Sequence, residues 1–268
     1  MSLFARTAAA IALGATLMAP GSPVFAAETV EMTDMTWVEV RGAIERGVTT
    51  AIVPSGGIEQ NGPHMVLGKH DTIVRSAAKR IATALGNALV APVISYVPEG
   101  DYAPPTGNML YPGTLGVPEP VFAGVLEGIA RSLMNAGFKT IALIGDHGGN
   151  QAAQALVAAK LNREWAGQGR GQVKVINVSD YYIDEAQMKF LRSKGETDAT
   201  IGSHAGLIDT AELMSLHPQG IDLTKLKSYA RKEAPGHSGD PSRATPELGK
   251  ALLDLRIDAA IKQIKAAN

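Results

Sequence analysis

The chain has 268 residues, 25 lysines and arginines against 26 aspartates and glutamates, and 45% hydrophobic residues. That length suits one large domain or two small ones, and the composition is ordinary for a soluble fold. The near-neutral balance points neither to nucleic acid nor to an anionic membrane surface. Cysteine is absent, so stability must come from the core, and metal ligands must be His, Asp, Glu or water.

Residues 1–26 read as a secretory signal. Arg6 precedes an apolar, alanine-rich run from Thr7 to Met18, which Pro20, Gly21 and Pro23 break. Val24-Phe25-Ala26 then offers a cleavage site after Ala26. The run is shorter than the roughly 20 apolar residues that cross a bilayer, and no cysteine follows it for lipid attachment. The expectation is an exported, periplasmic chain with no membrane attachment after cleavage, and one domain over 27–268.

Within that domain, Thr36-Trp37-Val38-Glu39 reads as a capping box opening a helix to about Arg46. Thr49 to Pro54 is a buried-strand pattern rich in β-branched residues. A glycine-rich loop comes after it, Gly57 to Asp71, carrying Glu59, His64, His70 and Asp71. Asp71 is placed to cap a helix from Thr72 to Leu85, which Gly86 ends. Ala88 to Tyr96 is a second strand pattern, weakened by Pro92. Pro98 to Pro120 is a long loop with six prolines and four glycines; unstructured loops of that length are usually functional or lid-like. Val121 to Asn135 is helical, and Thr140 to Ile144 is a buried strand ending in Asp146-His147-Gly148-Gly149-Asn150. A helix over Gln151–Trp165, a strand over Val173–Val178, and helices over Tyr182–Lys194 and Thr210–Leu216 come next. Residues 222–242 are polar and turn-rich, and Thr245-Pro246 opens a last helix to about Ala266.

Strands alternating with helices predict an α/β domain, a mostly parallel central sheet with helices on both faces. In such sheets ligands bind beyond the carboxyl ends of the strands. The loop at 55–70 and the segment at 145–150 both occupy such ends. A single loop His or Glu is more often a surface or capping residue than a ligand. Glu59, His64, His70 and His147 together, among glycines that allow close backbone approach, point to a metal site instead. Glu59 and His70 lie eleven positions apart, too far for one helical face, so a folded-back loop must join them. After His147, the glycines turn the chain into a helix whose first amides suit an anion or a developing oxyanion. A phosphate loop is the competing reading, and the lack of a Lys or a Gly-x-Gly-x-x-Gly pattern weighs against it.

Five ordered segments carry a resemblance. They are Glu59-Gln60-Asn61-Gly62-Pro63-His64, Tyr111-Pro112-Gly113-Thr114-Leu115, Asp146-His147-Gly148-Gly149-Asn150, His204-Ala205-Gly206 with Asp209-Thr210, and Gly239-Asp240-Pro241 with Ala244-Thr245-Pro246-Glu247. In this order they resemble the creatininase (creatinine amidohydrolase) family over nearly the whole of 27–268. The resemblance implies a three-layer α/β/α sandwich and a divalent metal, zinc, manganese or iron. It also implies hydrolysis of a non-peptide, often cyclic, amide in a small substrate, and a homo-oligomer. It puts Glu59 and His147 on first-metal ligands and His204 on a proton-transfer histidine. His70 falls where many members carry an aspartate bridging two metals. Asn61, Gly149 and Ser203 fall where a ligand His, a ligand Glu and an acid are common. An imidazole offers one lone pair to one ion, so the expectation is one well-bound ion on Glu59, His70 and His147, with water in an open position. Asp71 or Asp146 could complete that shell. Asp209 is expected either to hold His204 or to begin the short helix, and His64 to orient the loop or a ligand. Tyr102, Tyr111 and Trp165 could line a pocket or lie in the core, and His217 and His237 read as structural or surface residues.

Overall fold

A computed structural model describes residues 29–183, 185–229 and 236–267. The signal segment expected at 1–26 lies outside them. Helix α1 (Trp37–Glu45) opens on the expected capping box: the Thr36 side chain accepts the Glu39 N–H, and the Glu39 carboxylate accepts the Thr36 N–H. Strand β1 (Thr50–Ser55), helix α2 (Lys69–Leu85), strand β2 (Ala88–Val90) and helix α3 (Glu119–Ala136) succeed it. Then come strand β3 (Thr140–Gly145), helix α4 (Gln151–Gly167) and strand β4 (Lys174–Asn177). The last part of the chain is helical: α5 (Ser179–Tyr182), α6 (Glu185–Ser193), α7 (Asp198–Ile201), α8 (Leu207–Leu216), α9 (Leu223–Tyr229) and α10 (Pro246–Ala267).

The four strands form one parallel sheet in the order β2-β1-β3-β4. Side chains alternate across a strand, and the burial reflects that alternation. Ala51, Val53, Ile141, Leu143 and Val175 face a core completed by Phe122, Leu126, Val157, Leu161 and Trp165 of α3 and α4. Ile52, Ala142 and Ile144 face the opposite core, against Ile73, Ala77 and Ile81 of α2, Leu213 of α8, and Leu253, Ile257 and Ile264 of α10. The three-layer α/β/α sandwich is therefore built, with all four strands parallel.

Several element boundaries differ from the sequence reading. Helix α2 begins at Lys69, so Asp71 lies inside its first turn and does not cap it. Strand β2 ends at Val90, ahead of Pro92, which has no N–H to donate to a ladder; beyond Pro92 the chain meets β1 again at the bridge Ser55–Ile94. The helix expected over 182–194 is two helices, α5 and α6, and α8 starts at Leu207. Trp165 is a fully buried core residue. Among the described residues no helix is long and apolar enough to cross a membrane.

The strand order fixes where a crevice can open. From β1 the chain moves outward to β2, then returns past β1 to β3. The carboxyl ends of β1 and β3 flank this reversal, the position where open parallel sheets leave room for ligands.

Candidate metal centre

Glu59 stands in the loop after β1 and is fully buried. Its Oε1 lies 2.7 Å from His70 Nε2 in the first turn of α2, and its Oε2 lies 3.0 Å from His147 Nε2 at the end of β3. The ligand atoms of Glu59, His70 and His147 all fall within 4.8 Å of one another. The three residues expected to hold an ion are thus brought together by the crevice.

Each of the three is held from behind. His70 Nδ1 lies 2.6 Å from Asp146 Oδ2. The other oxygen of Asp146 accepts the Tyr181 hydroxyl at 2.8 Å and meets the Arg256 guanidinium at 2.8 Å. Arg256 also meets Glu212 at 2.8 Å, which accepts the Gln187 amide at 2.7 Å. Asp146 is therefore the partner of His70, the arrangement that fixes a ligating imidazole and raises its basicity. His147 Nδ1 accepts the Gly149 N–H at 3.0 Å. The Asn61 amide donates to the Glu59 and Val66 carbonyls at 2.9 and 3.0 Å, so it staples the loop that carries Glu59.

Burial alone would protonate these carboxylates. Burial raises Glu59, but His70, His147 and Lys69 outweigh it and hold the carboxyl well below its usual range. For Asp146, Arg256 and His70 likewise outweigh burial. Burial and the Lys69 charge lower His70, yet Glu59 and Asp146 bring it up to about 9. Burial lowers His147 and His204.

Two residues of the proline-rich loop reach this centre, and neither carried a signal in the sequence. Glu99, at the start of the proline-rich loop, is buried, and its Oε2 lies 3.3 Å from His147 Nε2. Burial first, and the Glu59 charge second, raise its carboxyl to about 8. Asn108 ties the same loop down: its amide donates to Glu59 Oε2 and, at 3.0 Å, to Glu99 Oε2, while its Oδ1 accepts from the Gln60 amide at 3.1 Å. Position 149 explains why the acid comes from there. A Cβ on Gly149 would collide with the Pro98 carbonyl, so the loop that presents Glu99 leaves no room for a side chain on residue 149.

His204 lies in the turn before α8. Its Nε2 is 2.8 Å from Gln60 Nε2 and 3.0 Å from the Gln60 carbonyl, and its Nδ1 is 3.8 Å from Glu59 Oε1. Asp209 does not bond the His204 ring among the described hydrogen bonds. Its Oδ2 meets Lys69 Nζ at 2.5 Å and accepts the Ala205 N–H at 2.7 Å. Ala205 has φ +48°, a left-handed conformation that costs a non-glycine residue about 1–2 kcal/mol. Asp209 thus holds the turn that presents His204. Asp71 sits apart from the triad: it accepts the Gly57 N–H at 3.1 Å and the Ser95 hydroxyl at 2.5 Å. His64 packs edge-on to His237, and its Nε2 lies 3.1 Å from the Thr210 hydroxyl, pinning the loop to α8. Ser203 pairs with Ser238. Tyr102 is exposed, its hydroxyl donating to the Gly116 carbonyl.

A cavity of about 480 Å³ opens over these groups, lined by Glu59, Lys69, His70, His147, His204 and Asp209 among others. The donor set is carboxylate and imidazole, the chemistry of zinc and manganese sites. The Oε1 of Glu99 is buried without a hydrogen-bond partner beside it. The residues therefore fit a divalent ion.

A parallel α/β/α sandwich with a carboxylate–imidazole cluster at its strand reversal places the chain in the class of α/β proteins with a candidate metal centre. The model of the creatininase family, described as creatinine amidohydrolase, matches residues 33–264, and the chain belongs to that family of amidohydrolases. It is 24% identical over 255 residues to the creatinine amidohydrolase of Pseudomonas putida, covering 89% of this chain and 97% of that one. It is 25% identical over 224 residues to the mycofactocin precursor peptide peptidase of Mycolicibacterium smegmatis, covering 81% and 85%. Among solved structures, a tryptophan-to-phenylalanine mutant creatininase superposes with a TM-score of 0.75 at 23% identity, over 90% of this chain and 99% of that one. Other creatininase structures matching over 90% of this chain include a Zn-Zn type with TM-score 0.72, one with Mn at 0.73, and a mutant complexed with creatine at 0.74.

Proposed function

We propose that the chain is an exported, metal-dependent amidohydrolase that cleaves the C–N bond of a small polar amide. The observation that carries this reading is the convergence of Glu59, His70 and His147 within 4.8 Å at the strand reversal, with His204 on the same cavity. Zinc- and manganese-bearing creatininase structures of the same fold support a divalent ion here. The triad would hold it, and Asp146 would orient His70 toward it.

When bound, such an ion supplies Lewis-acid activation of water and of an amide carbonyl at neutral pH. The chain supplies the rest. His204, whose pKa burial lowers, is neutral at physiological pH, so its imidazole takes a proton from the attacking water and passes it to the leaving nitrogen as the C–N bond breaks. Gln60 and the turn held by Asp209 fix its ring. The cavity is within the size range of small-molecule sites. The creatininase relatives favour a cyclic amide, while the mycofactocin precursor peptide peptidase favours a linear one; a lactone or formamide is the further alternative. The export assignment rests on residues 1–26, and assembly into a homo-oligomer on the resemblance.

Alanine at His204 tests the enzyme reading. Metal content should stay at wild-type level while turnover of cyclic amides and short peptides falls by about 10²–10⁴-fold. A non-catalytic, metal-retaining binding protein would instead show no turnover in the wild type on any of these substrates with metal saturating.

A further inference from the structure

Lys69 is the residue next to a proposed ligand, and its side chain is only 1% exposed. Burying an ammonium is costly unless it is paired, and the pairing here is specific. Its Nζ lies 2.5 Å from Asp209 Oδ2 and 3.5 Å from Glu59 Oε1. His204 Nδ1 lies 3.8 Å from the same Glu59 oxygen. All four residues line the cavity. Two carboxylate oxygens therefore face the ammonium, and an imidazole nitrogen lies beside one of them; carboxylate and imidazole are a cation's donor types, and here the cation is the lysine's own.

We propose that Lys69 is a built-in second cation of this centre, filling the place that a second divalent ion would otherwise take, so that the chain holds one ion. This rests on the metal reading of Glu59, His70 and His147. Glu59 is the shared element: Oε2 faces His147, and Oε1 faces both His70 and Lys69. An ion on the His70–His147 side uses the carboxylate from one direction, and the lysine neutralises it from the other. The remaining neighbours agree with that division. The Asn61 amide is engaged by backbone carbonyls, and position 149 has no room for an acid. Neither residue adds a donor on the lysine side, where a protein charge already balances Asp209.

The test is a titration of metal-stripped, full-length chain with zinc or manganese, read by calorimetry and by metal analysis after desalting. The wild type should saturate at one ion per chain. Lys69→Ala, checked for folding by circular dichroism, should take up a second, weaker ion, because the charge that balances Asp209 and Glu59 is then gone. A wild-type stoichiometry of two overturns the proposal whether or not the variant folds. A folded Lys69→Ala that stays at one ion overturns it as well. A wild type that binds none fails at the triad itself, which is the distinguishable failure of the metal reading.

Discussion

At the scale of single residues, the centre depends on what stands behind each ligand. His70 offers Nε2 to the crevice because Asp146 holds Nδ1 at 2.6 Å. Asp146→Asn keeps the shape and removes the charge. Loss of such a partner typically costs about 10–100-fold in metal affinity, and competition against a chromogenic chelator should show a loss of that order. An unchanged affinity would mean that Asp146 serves only Arg256 and Tyr181. The three proposed ligands stood out in the sequence because they are ligand-type residues in or beside loops that follow strands. Lys69, Gln60, Asn108 and Glu99 were not. Three are not ligand types, and Glu99 is an acid whose role depends on where a long loop lands. Asp71 misled because an aspartate ahead of a helical pattern usually caps it. Here the helix starts three residues earlier than expected, and the carboxylate serves the Gly57 N–H and Ser95.

At the scale of elements, the contact between α8 and α10 sets the far wall of the site. It carries Glu212 and Arg256, which support Asp146, and it closes at Gly249. A Cβ there would collide with the Ala211 carbonyl, which belongs to the backbone of α8 and cannot swing aside. Gly249→Ala should therefore push the helices apart and cost about 1–3 kcal/mol, the usual penalty of overpacking, seen as a lowered midpoint in denaturant. The same contact predicts a pH effect. Burial raises Glu212 to about 7 against the Arg256 charge, with Asp146 and Asp209 adding to the rise. A carboxyl raised on folding contributes stability below its unfolded pKa and loses it as pH climbs through the folded value. Metal-free wild type should thus lose stability relative to Glu212→Gln between about pH 5 and about pH 8. Parallel melts at the two pH values check this, and a difference that stays flat would show Glu212 ionised throughout. Helix positions on this side were partly legible: α10 was placed within a residue or so by Thr245-Pro246, whereas α9 lies in the stretch read as turn-rich and α7, a single turn of four residues, is too short to show a periodicity.

At the scale of the whole molecule, the alternation of strands and helices made the layers legible, and the strand order explains why two loops far apart in sequence form one crevice. Periodicity could not give that order; it depends on which face each crossover helix covers. The same architecture bears on export. The family match begins at residue 33 and the described fold at residue 29. The bridge of Glu31 to Val90 and the ion pairs of Glu31 with Arg75 and Lys79 tie the start of the described chain to β2 and α2. A cut after Ala26 would leave all of those contacts in place. A chain starting at Ala27 should therefore melt at the same temperature as the full-length protein and bind the same amount of metal. N-terminal sequencing of protein recovered from the periplasm should read Ala27-Glu28-Thr29. Recovery of uncut protein in the cytoplasm alone would sink the export reading and leave the metal centre untouched.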